Sequence, residues 1–442
     1  MTPPTLSETP DFINDPLQSQ SDVRILLIKM RGIVEKHGLR WWARWCIPLF
    51  LFWPALCVCQ PQTVLCQSGN APFDAEFRTG VDVHVRAARN RGLATLATRS
   101  CAATLTWEKQ ELVVATDASE IDLDAFGVDL GDGVPVTAFQ IKKSDADCCM
   151  EYKIYSLQKP PRLLRTIRGG EFFSASDVDL DGRVEIWTDD AAAVNGFEEL
   201  TLGELDSAPT VVFRFAHGQL LDASAEFQSY FDNEIARIRA RIGAQDLEDF
   251  KNSDGRLGEM PTPTSADRLL RSRVAKIKVL EIVWAYLYSG REQDAWRSLA
   301  EMWPAADIDR IRAALLNAWA HGIHGQVDGT TASRPPGKKK HAHIFDAVDW
   351  PGAGHKLEVI PPRAIQLNLH PTAGSQPPSP PEEMLLDLVI DAAGKVRSAE
   401  PAGTVKYPPD WIAMALAWKF IPAVKDGQGV ASRLRIIVTP KQ

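Results

Sequence analysis

The spacing of hydrophobic residues changes twice along this chain, and that change limits the folds that it can adopt. Between residues 80 and 222, short runs rich in β-branched and aromatic residues are separated by turns, as in "ELVVAT" and "TVVFRF", a pattern typical of β-strands. From about residue 265 to 303, apolar residues recur every three to four positions, which is the helical period. Residues 384–438 return to alternation. We therefore predict a multidomain chain.

The same pattern divides the chain into six segments, and 442 residues are enough for several folded units. We predict an N-terminal segment with a signal peptide or signal anchor, a short linker, and a β-rich domain of propeller-like or sandwich type. An α-helical hairpin region, a Pro-rich linker and a C-terminal α+β domain follow. In the same order, the boundaries are 1–59, 60–79, 80–223, 224–324, 325–382 and 383–442.

A charge-free apolar run, "WCIPLFLFWPALCVC", occupies residues 45–59. It is shorter than the roughly 20 residues that cross a bilayer as a helix, and two prolines interrupt it. Its length matches the apolar core of a secretory signal, and basic residues precede it. We predict export with cleavage near Cys59, and an uncleaved anchor is the alternative. Whether the chain starts at Met1 or Met30 stays open.

Export would place the chain in an oxidising compartment, where cysteines form disulfides. Four cysteines follow the apolar run, at Cys66, Cys101, Cys148 and Cys149. Because a bond between neighbouring cysteines is strained, we expect Cys101 to pair with Cys148 or Cys149. The cysteine spacing matches no zinc-binding pattern.

The net charge and the absence of known catalytic motifs limit the classes of function that the sequence supports. The formal net charge of −8 gives no broad basic face, so we predict no nucleic-acid partner. The sequence contains no G-x-S-x-G elbow, no H-E-x-x-H helix and no glycine motif for phosphate or dinucleotide binding. We therefore predict a protein without enzymatic activity. A periplasmic enzyme with an active site assembled in the β domain is an alternative.

The segment "DVDLDGRVEIW", residues 177–187, carries the sharpest chemical motif. Acids alternate before a glycine and a further acid follows on a predicted strand, namely Asp177, Asp179, Asp181 and Glu185. Calcium takes six to eight oxygen ligands, so alternating carboxylates on a tight turn suit it. The motif resembles the calcium loops of FG-GAP or integrin-type repeats. We predict a Ca²⁺ site, and a solvated acidic turn is the alternative.

Two weaker patterns concern repeats. "VDLGDGVPV" (128–136) shares features with "VDLDGRVEI" (178–186), about fifty residues later, and a propeller blade occupies such a spacing. Room for about three units leaves a propeller and a sandwich both open. "WAYLYSGREQDAWRSLAEMWP" (284–304) resembles one tetratricopeptide-type helix pair. An ordinary helical hairpin is the alternative.

Residues 384–438 predict a small sheet covered by one helix. "LLDLVID" (385–391) alternates, and the hairpin turn "AAGK" follows. A proline pair opens a short helix, in which Trp411 and Trp418 share one face. "VASRLRIIV" (430–438) returns as an alternating strand. We predict a three-stranded antiparallel sheet on which the aromatic face of the helix packs.

This order of elements, with a D-x-x-G turn, a helix ending in Trp-Lys-Phe-x-Pro-Ala and a D-G turn, resembles the TonB C-terminal domain family over residues 383–440. The residues at the motif positions are Trp411, Trp418, Phe420, Pro422 and Gly427. The resemblance implies a periplasmic module that pairs a strand with a peptide of an outer-membrane protein. It assigns these residues to core packing rather than to ligand contact.

Together these features predict an exported, non-enzymatic cell-envelope protein that binds another envelope protein through a TonB-like module. Such a protein would meet a membrane only if its N-terminal segment stays uncleaved. The first alternative is a TonB-type energy transducer for outer-membrane transport, held in the inner membrane by an uncleaved anchor.

Overall fold

The sheets of the described chain are mostly antiparallel, and a helical segment, residues 228–321, lies between the fourth and fifth strands of the third sheet. A computed structural model describes residues 66–67, 73–89, 99–144, 148–257, 263–331, 342–347, 358–367 and 383–439. These residues belong to one compact unit, Cys57–Gln442. The apolar run 45–59, both candidate start residues and most of the Pro-rich linker lie outside the described residues.

The first nine strands of the described chain form two antiparallel sheets. In chain order they are β1 (Cys66–Gln67), β2 (Phe73–Phe77), β3 (Val81–Arg89), β4 (Arg99–Trp107), β5 (Gln110–Ala118), β6 (Glu120–Asp129), β7 (Pro135–Lys142), β8 (Met150–Ser156) and β9 (Arg162–Gly170). The sheets have the orders β2-β3-β4-β5 and β1-β6-β7-β8-β9. Alternation accounts for them: Val81, Val83 and Val85 are buried on β3, whereas Asp82 and His84 are partly exposed.

Side chains from these two sheets meet in one apolar core. Phe77 and Leu105 from the first sheet pack in the same cluster as Phe126 and Phe139 from the second. The rings of Phe77 and Phe126 meet edge to face with centroids 5.7 Å apart. We find no propeller among the described residues, because consecutive strands pair into broad sheets instead of separate blades. The predicted β-rich character is confirmed.

A third sheet carries the acidic loop. Its strands, in spatial order, are β10 (Phe173–Ser176), β11 (Glu185–Asp189), β12 (Thr210–Ala216), β13 (Gln219–Asp222) and β14 (Gly329–Thr330). The short helix α1 (Ala191–Val194) follows β11. Ile186 and Trp187 are fully buried, so the strand after the loop is fixed in the core. Sheet β10-β11 therefore holds both ends of the loop.

A helical segment lies between β13 and β14, as predicted. Its helices are α2 (Gln228–Arg239), α3 (Ala244–Lys251), α4 (Pro263–Tyr288), α5 (Glu292–Met302) and α6 (Ile308–His321). Ile277, Trp284 and Leu287 are buried, and α4 is buried on all sides from Ala275 to Ala285. Gly290 adopts a positive φ of 75° between α4 and α5, a conformation that favours glycine. In the part of the chain that the structure describes, no helix is both long and apolar enough to span a membrane.

The C-terminal module, residues 383–439, is an α+β unit. The last strands and helix of the chain are β15 (Phe345–Asp346), β16 (Arg363–Gln366), β17 (Met384–Ile390), β18 (Val396–Pro401), α7 (Pro409–Leu416), β19 (Lys419–Ile421), β20 (Ala423–Lys425), β21 (Gln428–Val430) and β22 (Ser432–Val438). Strands β18, β17 and β22 form the predicted antiparallel sheet, to which β15 adds a parallel fourth strand. A two-residue strand leaves no alternation in the sequence, so β15 was not predicted.

The D-x-x-G turn of the module and its Trp-Lys-Phe-x-Pro-Ala segment are in contact through their backbones. The Phe420 N–H donates to the Gly394 carbonyl over 2.9 Å. Gly394 has a φ of 81°, and a Cβ placed on it would lie 1.9 Å from the carbonyl oxygen of Phe420. Only glycine fits this approach. The hairpin turn 391–394 is therefore held against strand β19.

The disulfides differ from the predicted pairing. Cys66 bonds Cys101, and Cys148 bonds its neighbour Cys149, so pairing of Cys101 with either of the last two is wrong. Strand β1 lies beside β6 and brings Cys66 to a Cα–Cα distance of 6.0 Å from Cys101, which is within the usual range. The Cys66–Cys101 bond fits an oxidising, extracytoplasmic compartment.

Replacing Trp418 by alanine should destabilise the C-terminal module. The side chain is 1% exposed and packs in the core between α7 and the sheet, and deleting a buried aromatic costs roughly 3–5 kcal/mol. Hydrogen exchange of the β17 and β22 amides in the full chain measures the loss. Ile437→Ala is the matched control, because Ile437 is 64% exposed on β22 and should change stability by less than about 0.5 kcal/mol. Equal effects of both variants would contradict the packing.

Candidate metal centre

The acidic loop between β10 and β11 folds back on its first residue. The carboxylate of Asp177 accepts the N–H of Asp181 at 2.9 Å and that of Gly182 at 3.0 Å. Leu180 and Gly182 have positive φ values of 52° and 86°, which produce the sharp turn. The loop, residues 177–185, is called the metal loop below.

Three carboxylates converge inside this loop. Ligand oxygens of Asp177, Asp179 and Glu185 lie within 4.8 Å of one another. Asp177 and Glu185 are fully buried, and Asp179 is partly buried. Burying carboxylates together is costly unless hydrogen bonds or a cation offset their charge. This group can hold a metal ion.

Glu185 provides an independent sign of a ligand. Its Oε1 accepts from Nη2 of Arg214 at 2.8 Å, and Arg214 also donates to Glu226 at 2.7 Å. The second oxygen, Oε2, is buried and has no hydrogen-bond partner among the described residues. A buried acceptor of this kind is expensive in a folded protein. A cation between the three carboxylates would satisfy it.

The electrostatics of the loop favour a bound positive charge. Burial, together with the nearby carboxylate of Asp391, raises the pKa of Asp177 to about 7. Burial also raises the pKa of Glu185 to about 8, although the ion pair with Arg214 opposes the shift. Without a cation, Glu185 is therefore mostly protonated at neutral pH and Asp177 is about half protonated, and a bound cation would replace these protons.

Asp181, the fourth acid of the sequence motif, lies outside this group. Its Oδ2 accepts from Nε of Arg183 at 2.9 Å, and its Oδ1 accepts the N–H of Arg183 at 3.0 Å. A role for Asp181 as a ligand stays a prediction. The three grouped donors are all oxygens, which suits hard cations such as Ca²⁺ or Mg²⁺ better than softer metals.

Sequence reasoning missed Asp391, which contacts the metal loop from the C-terminal module. Its Oδ2 accepts the N–H of Asp177 at 3.1 Å and the hydroxyl of Ser176 at 3.2 Å. Arg397, also in the module, donates to the Ser176 hydroxyl at 3.0 Å. The D-x-x-G turn identified Asp391 as a turn residue, but no local pattern connects it with a loop 214 residues earlier.

Two further acids bind the module to the sheet body, which comprises strands β1–β14. Asp122 and Asp124 lie on β6 and are 7% and 5% exposed. Lys419 donates to Asp122 at 2.6 Å, and Lys395 donates to Asp124 at 2.5 Å. Tyr152 donates its hydroxyl to Asp124 at 2.7 Å. These buried ion pairs connect two distant parts of the sequence.

The residues at the TonB-like motif positions lie in the module and not around the metal loop. Trp411, Trp418 and Phe420 are at most 2% exposed and pack in one core. Pro422 is buried between β19 and β20. Gly427 has a φ of 88° in the turn between β20 and β21. Their positions agree with packing roles.

A hydrogen-bonded chain of three side chains crosses the sheet β2-β3-β4. Asp74 Oδ1 lies 2.5 Å from Nδ1 of His84, and His84 Nε2 lies 2.9 Å from the Thr106 hydroxyl. This order of acid, imidazole and hydroxyl is the one that activates a nucleophile. Here, however, Asp74 is 54% exposed on an open sheet face, where water competes for each bond. We interpret the chain as cross-strand pairing.

Comparisons with known proteins identify no family for this chain. No family model, no curated protein and no solved structure matches it. The resemblances noted in the sequence therefore depend on their motif residues alone.

Without metal, the free energy of unfolding should fall as the pH rises from about 5 to about 9. Unfolded carboxyls lose their protons near pH 4, whereas Asp177 and Glu185 keep theirs up to pKa values of about 7 and about 8. The folded chain then binds more protons than the unfolded chain, so this stabilisation is present at low pH and disappears as the pH passes both folded values.

Chemical denaturation in EDTA at about pH 5, 7 and 9 measures this fall. The variant Glu185→Gln cannot ionise at that position, so its unfolding free energy should depend less steeply on pH. A pH dependence that is the same in Glu185→Gln and in the natural chain would rule out the buried carboxyl as its source.

Proposed function

We propose that this chain is an exported, non-enzymatic protein of the cell envelope whose C-terminal module binds another envelope protein. The Cys66–Cys101 disulfide supports an oxidising compartment, and the basic-then-apolar order before residue 60 supports export. The partner would be an extended segment of an envelope protein, such as a periplasmic peptide of an outer-membrane protein.

One observation carries the binding proposal, namely the outer edge of β22. Strand β15 pairs with that edge only at Ser432 and Arg433. Beyond Arg433, residues 434–438 have no strand partner on that side among the described residues. An open edge presents backbone N–H and C=O groups that a further strand can pair with. Ile437, in the same stretch, is 64% exposed and offers apolar surface to such a strand.

The ion pairs of the module favour this proposal over an energy transducer. Lys395 and Lys419 bind buried acids of the sheet body, and removing one partner of such a pair costs about 3–5 kcal/mol. A module fastened in this way presents its edge from a fixed position. A transducer that reaches across the periplasm would need a module joined to its anchor by a long spacer.

We infer that the ion of the metal loop is calcium. The donors are carboxylates on a tight loop with alternating acids, and calcium accepts irregular shells of six to eight oxygens. Magnesium demands a near-octahedral shell and retains several waters, which suits a buried loop less well. The ion would stabilise the turn between β10 and β11, with no catalytic role.

Calcium should raise the free energy of unfolding by about 2.7 kcal/mol at a hundredfold excess over its dissociation constant, because it binds the folded chain. Thermal unfolding in calcium and in EDTA measures the shift. Asp179→Asn should abolish it, since Asp179 belongs to the carboxylate group. Asp132→Asn should leave it intact, because Asp132 accepts from Gly218 in another loop. A melting temperature indifferent to calcium would favour the acidic-turn alternative.

A photo-crosslinking side chain at position 437 should capture an envelope protein from periplasmic or membrane extract. The matched control places the same side chain at Leu163, which is 49% exposed on the edge strand β9. Ile437→Lys should abolish binding, since a charge on a strand edge opposes pairing with another strand. Equal capture from both positions, or binding that survives Ile437→Lys, would remove β22 as the binding edge.

A further inference from the structure

The hairpin turn of the C-terminal module closes directly onto the metal loop. Within the turn, Oδ1 of Asp391 accepts the N–H groups of Ala393 and Lys395, each at 2.9 Å. The other oxygen reaches the sheet body and accepts the N–H of Asp177. Asp391 is fully buried. A single carboxylate therefore shapes the turn and also caps the first residue of the metal loop.

A second contact joins the same two regions. The N–H of Ala342 donates to the carbonyl of Leu180 at 2.6 Å, inside the metal loop. Three residues later the chain enters β15, which pairs with β22 of the module. The metal loop is thus in contact with the turn that joins β17 to β18 and with the segment that leads into β15.

Three acidic side chains meet at this contact. Asp177, Glu185 and Asp391 are all fully buried, and the charge of Asp391 contributes to the raised pKa of Asp177. Arg214 pairs with Glu185, and Arg397 lies 3.8 Å from Asp391. When these carboxyls are ionised, those of the loop and Asp391 repel one another, and a divalent cation would convert this repulsion into attraction.

We propose that cation binding in the metal loop and docking of the C-terminal module on the sheet body are coupled, so that the bound cation holds the module in place. The coupling extends the proposed calcium site and rests on it. A cation at Asp177, Asp179 and Glu185 stabilises Asp391 in its docked position. By linkage, docked Asp391 raises the affinity of the loop for the cation to the same degree.

Hydrogen exchange of the full chain in calcium and in EGTA tests the docking arm. Calcium should slow exchange of the β17 and β18 amides by about tenfold, a typical size for coupling between sites. The buried centre of α4, residues 279–283, serves as the reference that calcium should leave unchanged. A calcium-independent exchange rate in β17 and β18 would overturn the coupling.

Two Asp→Asn variants test whether this effect of calcium on hydrogen exchange depends on Asp391. Asp391→Asn keeps an oxygen that can accept from Asp177 but removes the charge, so protection of the module should no longer depend on calcium. Asp387→Asn is the matched control on β17, where Asp387 pairs with Arg435 at 2.6 Å, and it should retain the calcium effect. A calcium effect that persists in Asp391→Asn would contradict the inference.

The reverse experiment weakens docking at a position away from the metal loop and measures whether the affinity for calcium falls. Replacing the Asp122–Lys419 pair by Asn and Met together removes an anchor of the module without leaving a buried charge unpaired. Calorimetric titration with calcium chloride should then show an affinity lowered by about fivefold or more, at the lower end of coupling between sites. An unchanged affinity would mean that docking and binding are independent.

The outcomes separate the two proposals. Suppose that titration with calcium gives a heat of binding in the natural chain and none in Asp179→Asn, while calcium leaves the hydrogen exchange of β17 and β18 unchanged. This result overturns the coupling and leaves the calcium site standing. If the natural chain gives no heat of calcium binding, the site and the coupling are overturned together.

Discussion

Buried carboxylates along the junction between the sheet body and the C-terminal module decide how this molecule is arranged. Asp122 and Asp124 lie almost out of reach of water on β6, and an isolated charge there would cost several kcal/mol. Lys419 and Lys395 offset that cost only when the module is docked. Without the C-terminal module, the sheet body would therefore contain two buried carboxylates that lack their lysine partners.

The same junction combines two ways of burying negative charge. On β6 the compensating charge is a lysine of the protein, so it is present whenever the chain is folded. In the metal loop, Arg214 satisfies one oxygen of Glu185, and the rest of the charge can be met by a proton or by an ion from solution. The first solution is permanent, whereas the second depends on the composition of the compartment.

Sequence patterns predicted what depends on near neighbours. The spacing of Trp411 and Trp418 predicted that both are buried, although α7 ends at Leu416 and Trp418 lies beyond it. The segment "DVDLDGRVEIW" predicted a loop of metal-binding carboxylates, and Asp177, Asp179 and Glu185 converge there. Contacts between distant residues left no pattern, as for Asp391, which meets Asp177 from 214 residues away. The partner of Cys101 was missed for a similar reason, because a two-residue strand positions Cys66. The pairing of Asp181 with Arg183, two residues on, is a local signal that the sequence did contain.

The backbone contact between Gly394 and Phe420 has a consequence for how the module can change over generations. Because a side chain at 394 would collide with the Phe420 carbonyl, the two segments cannot diverge independently, although 26 positions separate them in the printed sequence. Loss of the glycine would demand a compensating shift of the "WKFIP" strand. Substitutions in the hairpin turn and in that strand should therefore be correlated.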